Sequence, residues 1–294
     1  MTIPSVISKV TGSTTTATLV QKIILPENIQ NGNMLVVSLG LRTQAGTTTE
    51  TWDNATAGTF TDVLAYNRGL LRHVIYWKIA DGTESSLTLS IVTSVSAGGA
   101  WVSFCIDSHN SLIETTVTGA GTGNTSPGVG LTPTWGAKDV LWISGYTGPG
   151  SNILAPSGYS STYTVAGSGS TRVGLTTIEK GISNTISESL APSSWGINLI
   201  SAAENQIVYL LGIQGAAAGG FTITSVNEGN DVYSGQTFVK VVGTGLSNVT
   251  SATYKGAACS EISKSSSLSI TMTFPNFFTN NIKVGAQHSL KVRG

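Results

Sequence analysis

The sequence predicts an all-β protein made of two β-sandwiches, a large one built from two similar halves and a small one behind it. Three observations carry this. Apolar residues recur at every second position, as in Leu35, Val37, Leu39 and Leu41, which is the period of a half-buried strand. Helix signals are poor: β-branched residues are abundant, and the best short candidate, residues 186–195, contains Pro192, which cannot donate to a helix ladder. One strand pattern is also written twice, over residues 33–107 and again over 139–214.

In the first copy the run NMLVVSLGLR opens a strand at residue 33, a Thr-rich loop carries Trp52, and residues 71–79 form a second strand. There Leu71, His73, Ile75, Trp77 and Ile79 share one face, while Arg72, Tyr76 and Lys78 are expected on a solvated one. A turn at Asp81-Gly82 precedes SLTLSIV (86–92), and Val102, Phe104 and Ile106 give a third inward set. In the second copy Leu141, Ile143 and Ser144 match Leu35, Val37 and Ser38 at an offset of 106; Val208 matches Val102 at the same offset, and Arg172 matches Arg72 at 100. Residues 119–138, rich in Gly, Thr and Pro, read as the connection between halves. About ten to fourteen strands are expected before residue 214. Two sheets stacked about 10 Å apart would bury their alternating faces. The expectation is one sandwich of jelly-roll type over residues 1–214, with two beads joined by 119–138 as the alternative.

Residues 215–220, GAAAGG, read as a hinge. In 221–294, Leu268, Ile270, Met272 and Phe274 alternate with Ser and Thr, and Val239 and Val241 flank an outward Lys240. Roughly seven short strands in this length fit a small Ig-like sandwich, though one without the Cys–Trp–Cys core of antibody domains.

Charged residues make up 10% of the chain and the net charge is zero. Ordinary soluble domains carry roughly 25%. No basic stripe exists for nucleic acid or an anionic membrane, so neither partner is expected. Such a surface reads as that of a β-rich protein with many turns or, more sharply, as that of a protein attached to a large assembly, which does not need like-charge repulsion to stay soluble. Cys105 and Cys259 fall in different expected domains and read as free thiols. This suits a reducing cytoplasm. The N-terminus shows no signal-peptide pattern and no run approaches a membrane span, so exit by lysis or retention in the cell is expected.

No metalloprotease, zinc, phosphate-loop or nucleophile-elbow motif occurs, and no catalytic, cofactor or metal residue is assigned. His73 reads as a hydrogen-bonded core histidine, with a ligand or catalytic role as the alternative. Asp107-Ser108-His109-Asn110 offers groups a hydrolase uses, but neighbours on a strand diverge, and a turn is expected. His288 has no partner pattern. Asn227, Glu228, Asn230 and Asp231 offer oxygens for calcium without the spacing of a calcium loop. Trp52, Trp135, Trp142 and Trp195 lie near loops or strand ends, where exposed indoles would stack on sugar rings or meet a partner; burial is the commoner fate. Trp77 and Trp101 read as strand residues.

Two resemblances follow. The opening ITSV (223–226), the turn Ser234-Gly235 before TFVKVVGTGL (237–246), ATYKGAAC (252–259) and SLSITMTFP (267–275) resemble an IPT/TIG-type Ig-like domain. The run NGNMLVVSLGLR (31–42), Trp52 and YWKIADGTES (76–85) resemble bacteriophage structural proteins and their prophage relatives. DVLWISGY (139–146) and TTIEKGIS (176–183) give a weaker second copy, with Glu179 near where the first has Lys78. The resemblance implies a non-enzymatic virion component made in the host cytoplasm and carried on the virion surface. Its expected role is a capsid decoration protein bound to the major capsid protein, with self-association as a homo-oligomer. The alternatives are a tail or fibre protein or adhesin that binds host-surface glycans through exposed Trp, and a carbohydrate-active enzyme with an accessory domain.

Overall fold

The computed structural model describes residues 2–14, 16–52, 60–120, 125–149, 153–159, 161–166, 171–197, 205–216, 222–230, 237–244, 251–254, 257–259, 261–266, 269–274 and 290–293. Every regular element among them is a strand, and every pairing is antiparallel. The chain divides into two compact units, Met1–Ala216 and Ala217–Gly294.

The first unit begins with β1 (Ser5–Ser13), β2 (Thr18–Ile24), β3 (Met34–Thr43), β4 (Glu50–Trp52), β5 (Thr61–Arg68), β6 (Leu71–Ile79) and β7 (Thr88–Asp107). The second half supplies β8 (His109–Ala120), β9 (Val129–Leu131), β10 (Lys138–Gly148), β11 (Ile153–Leu154), β12 (Ser161–Ala166), β13 (Gly174–Thr185), β14 (Glu188–Leu190), β15 (Gly196–Ile197) and β16 (Gln206–Gly215). One sheet has the order β1-β7-β3-β6-β5, and the other the order β8-β16-β10-β13-β12. These are the same order strand for strand, with β1 answering to β8, β7 to β16, β3 to β10, β6 to β13 and β5 to β12. Each half thus makes a sheet of its own.

The repeat starts earlier than the apolar pattern suggests. The second copy opens at His109, with Ser108 alone separating β7 from β8. The stretch 119–138 is therefore no plain connection, since it holds the end of β8, all of β9 and the first residue of β10. β8 is an edge strand rich in Thr, half-buried along most of its length, so its periodicity is weak.

The two sheets pack face to face. Met34, Val36, Val102 and Phe104 from the first meet Leu141, Ile143, Tyr209 and Leu211 from the second in a single apolar core. That core joins the two sheets in sandwich-like packing. β1 lies beside β12 and β5 beside β8, and Lys9 on β1 reaches Glu179 on β13 at 2.8 Å, so open edges are partly closed.

Each sheet is also covered on its other face. The first ten residues of β7 bend away and pair with β2 and β4. This flap buries Leu35, Val37, Leu39 and Leu41 under Ile23, Leu25 and Leu89. In the second half the flap comes from β9 with β14 and β11 with β15, over Trp142, Tyr146 and Leu210. Central strands are accordingly buried on both faces, and β3 reads as a near-continuous apolar run. This corrects the half-buried reading of β3. It also corrects the solvated face expected for β6: Tyr76 is buried, and Arg72 and Lys78 are largely covered and paired with Glu50 and Glu84. Residues 188–190 of the helix candidate form β14 instead.

Several strand glycines exist because an aromatic ring on the next strand lies over them. A Cβ on Gly145 would stand 2.2 Å from the Tyr209 ring, and one on Gly12 would stand 2.2 Å from Trp101. Gly145 and Tyr209 are register partners, as are Gly12 and Trp101, and Gly212 sits likewise under Trp142.

The second unit holds β17 (Thr222–Asn230), β18 (Thr237–Thr244), β19 (Ser251–Tyr254), β20 (Ala257–Ala258), β21 (Glu261–Ser266), β22 (Ser269–Phe274) and β23 (Leu290–Arg293). They form a four-stranded sheet, β17-β18-β22-β21, and a three-stranded sheet, β20-β19-β23.

Candidate functional site

The densest polar constellation lies between the two sheets. Ser38 on β3 stands 3.2 Å from Nε2 of His73 on β6 and 2.8 Å from the Tyr209 hydroxyl on β16. Nδ1 of His73 stands 2.7 Å from Oγ1 of Thr147 on β10. The His73 and Tyr209 rings stack at 4.6 Å. Ser38 is 1% exposed, and His73, Thr147 and Tyr209 are 0% exposed.

The placement follows from the pleat. Ser38 lies on the inter-sheet face of β3, and Gly40, two residues on, leaves room for Thr147, whose methyl would lie 2.8 Å from an added Cβ. Four polar groups in an apolar core satisfy one another, which removes the cost of burying them alone.

Burial drives the His73 pKa from 6.5 down to about 3, so the ring is neutral at neutral pH, with one nitrogen donating and the other accepting. Burial also raises the Tyr209 phenol above its usual range, and the bond from Ser38 opposes that only in part. A serine beside a histidine is the geometry of a nucleophile and its base. At this burial no substrate reaches Ser38, and the arrangement acts as a clamp: Ser38 and His73 come from one sheet, Thr147 and Tyr209 from the other.

A second network ties the first flap to its sheet. Glu50 on β4 pairs with Arg72 and accepts from the Tyr76 hydroxyl, whose pKa rises through burial first and then the nearby Glu50 charge. Trp52, next along β4, stacks on Phe60 at 4.8 Å and meets Tyr76 edge-on at 4.7 Å.

The tryptophans named from sequence do not converge. Trp142 is 0% and Trp195 1% exposed, so neither offers a ring face to a sugar or a partner. Trp52 and Trp135 are half-buried and packed against the two outer cores. Of these four, only Trp52 and Trp135 keep part of the ring exposed, and they pack on different outer cores.

The segment Asp107-Ser108-His109-Asn110 bends at Ser108, between the end of β7 and the start of β8. Ser108 has φ 60°, and its amide donates to Asp107. His109 contacts the Gly32 carbonyl at 3.0 Å through Nε2 and accepts from the Ser111 amide through Nδ1. Asn110 turns to Gln214. Burial lowers the His109 pKa, with the Gly32 carbonyl and Asp107 working the other way.

Cys105 is a buried thiol pushed up to about 11 by burial, and Cys259 is half-buried, its thiol donating to the Thr273 carbonyl at 3.2 Å. Asn227, Glu228 and Asn230 lie on β17, while Asp231 and His288 fall outside the described residues. Among the described residues no cluster of three or more His, Cys, Asp or Glu could hold a metal.

Sequence reasoning found His73 but not its three partners. The available signal was Ser38 in NMLVVSLGL, a hydroxyl inside a strand buried on both faces.

The chain matches no family model, no curated protein and no solved structure.

Proposed function

We propose that this chain is a non-enzymatic structural protein of a bacteriophage virion, a capsid decoration protein. On this reading the large sandwich, of jelly-roll type, binds the major capsid protein, and an Ig-like domain of IPT/TIG type is displayed behind it. The supporting sequence features are the repeated phage-like strand pattern and a surface poor in charge. The division of the second unit's strands into sheets of four and three supports the Ig-like reading, since that is the division of a constant-type Ig domain.

The observation that carries the proposal is a group of exposed aliphatic side chains on the first half's edge and flap. Ile7 on β1, and Leu19 and Ile24 on β2, are 44–49% exposed. The Ser103 hydroxyl bonds to both the Val10 and the Ile24 carbonyls, which sets β1 and β2 side by side. Exposed aliphatic side chains on a body stabilised from within are suited to adhesion between surfaces.

The test is co-sedimentation of the purified chain with purified capsids from its source. Wild type should pellet with capsids at both low and high salt, because few charges are available to screen. The double substitution Leu19→Lys and Ile24→Lys should abolish pelleting while leaving the fold intact. Equal pelleting of that variant would refute this surface, and no pelleting of wild type would refute the capsid partner.

A further inference from the structure

We propose that Ser38, His73, Thr147 and Tyr209 form an acid-released latch, in which protonation of His73 parts the two sheets of the sandwich while each sheet keeps its own strand ladder.

The geometry separates two kinds of contact. Within each sheet the strands are joined by backbone hydrogen bonds over long registers, as between β3 and β7 or β10 and β16. Those bonds carry no titratable group. Between the sheets these four side chains make hydrogen bonds inside the apolar core, while nearer its margins Arg42 on β3 donates to the Arg172 carbonyl at 3.0 Å and Lys9 meets Glu179.

His73 sits where a positive charge is least tolerated. From β3 it faces Ser38, from β10 Thr147, and from β16 Tyr209; its register partner on β5 is Tyr66. The titratable groups in this set are the two phenols, which are neutral in acid. Burial lowers the His73 pKa, and the described partners of its ring include no carboxylate or cation. The hydroxyls can accept from both N–H groups of an imidazolium, but nothing offsets its charge. Water entering between the sheets does, and that requires the sheets to separate.

The direction with pH follows. The imidazole is a base whose folded pKa, about 3, lies below its ordinary 6.5. Above 6.5 both closed and open forms are neutral, and the latch holds in full. As pH falls from 6.5 towards 3 the open form takes up a proton that the closed form refuses. The closed form then loses about a factor of ten in its equilibrium for each pH unit.

The test uses the full chain, with near-ultraviolet circular dichroism for packing around Tyr209 and far-ultraviolet dichroism for strand content, from pH 7.5 to 3.5. Wild type should lose the near-ultraviolet signal in acid while keeping the far-ultraviolet one, and His73→Gln should hold the former to at least one pH unit lower. Nitrogen-15 imidazole spectra of wild type supply a second reading that does not depend on the variant folding. There His73 should stay neutral throughout the closed state and become protonated only as the packing signal is lost. The latch is refuted by a His73 that titrates near 6.5 in the closed fold, by loss of both dichroism signals at one pH, or by an unchanged transition in a folded His73→Gln.

Discussion

The outer face of each sheet carries the same three-part device, and the two copies differ in depth. In the first half Lys78 on β6 reaches Glu84 at 2.5 Å and lies 5.8 Å from the Phe60 ring. In the second half Lys180 on β13 reaches Glu188 at 3.2 Å and lies 5.5 Å from the Tyr159 ring. The positions correspond by register. Ser38 pairs with Ile75 between β3 and β6, Gly145 pairs with Thr177 between β10 and β13, and three residues further on stand Lys78 and Lys180. In each half the lysine ties the strand to the chain segment that follows it.

The first copy is sealed. The Glu84 carboxylate also accepts the Asp81 and Gly82 amides, which fixes the turn where Gly82 takes φ 94°, and its side chain is 1% exposed. The second copy is open, with the Lys180 side chain 33% exposed. Its flap consists of separate short strands, where the first half has the bent, continuous β7. The comparison teaches that the two halves share the strand order and the anchor and differ in the outer covering.

Four expected outcomes press on this comparison. The largest is a core truncation: Trp142→Ala, in the second outer core, should cost about 3–5 kcal/mol in urea unfolding, against about 1 kcal/mol or less for the half-buried Trp135→Ala. Similar losses would mean that Trp142 is no better covered than Trp135. Next, Glu84→Gln should cost about 3 kcal/mol, because it removes the charge of a covered carboxylate that is ion-paired and holds two turn amides, whereas Glu188→Gln should cost about 1 kcal/mol or less. Equal costs would erase the sealed and open distinction. Third, Gly145→Ala should cost about 1–3 kcal/mol by driving a methyl into the Tyr209 ring. Gly12→Ala should cost less, because β1 is an edge strand that can shift, and thermal melts of both variants check the order. Smallest, Leu19→Lys and Ile24→Lys should change stability by about 0.5 kcal/mol or less, since both side chains already face solvent.

Much of the architecture was legible in the sequence, and the misreadings have a common physical source. The all-β class and the repeat follow from apolar periodicity. The residue-level alignment does not. Matching Ser38 to Ser144 gives an offset of 106, yet the inter-sheet faces and the strand registers agree at 107, where Val36 answers to Ile143 and Val102 to Tyr209. A one-residue slip exchanges the two faces of a strand. In strands buried on both faces that exchange leaves hydrophobicity almost unchanged, so identity of one serine outweighed the pattern. The same slip hid the anchor: Glu179 answers to Trp77, and Lys180, not Glu179, stands at the place of Lys78. The clamp around His73 was legible only in part, because its members come from four strands whose adjacency depends on the stacking of sheets. The burial of Trp142 and Trp195 is the fate the sequence favoured, but the flaps that cover them were not legible, being short strands with little periodicity of their own.

The account's central claim is that this chain coats a capsid, and the most direct measurement is its copy number in purified particles from its source. Quantitative mass spectrometry against the major capsid protein gives that number. The proposal predicts one copy per capsid subunit, or one per few. A handful of copies per particle, or none, would contradict it.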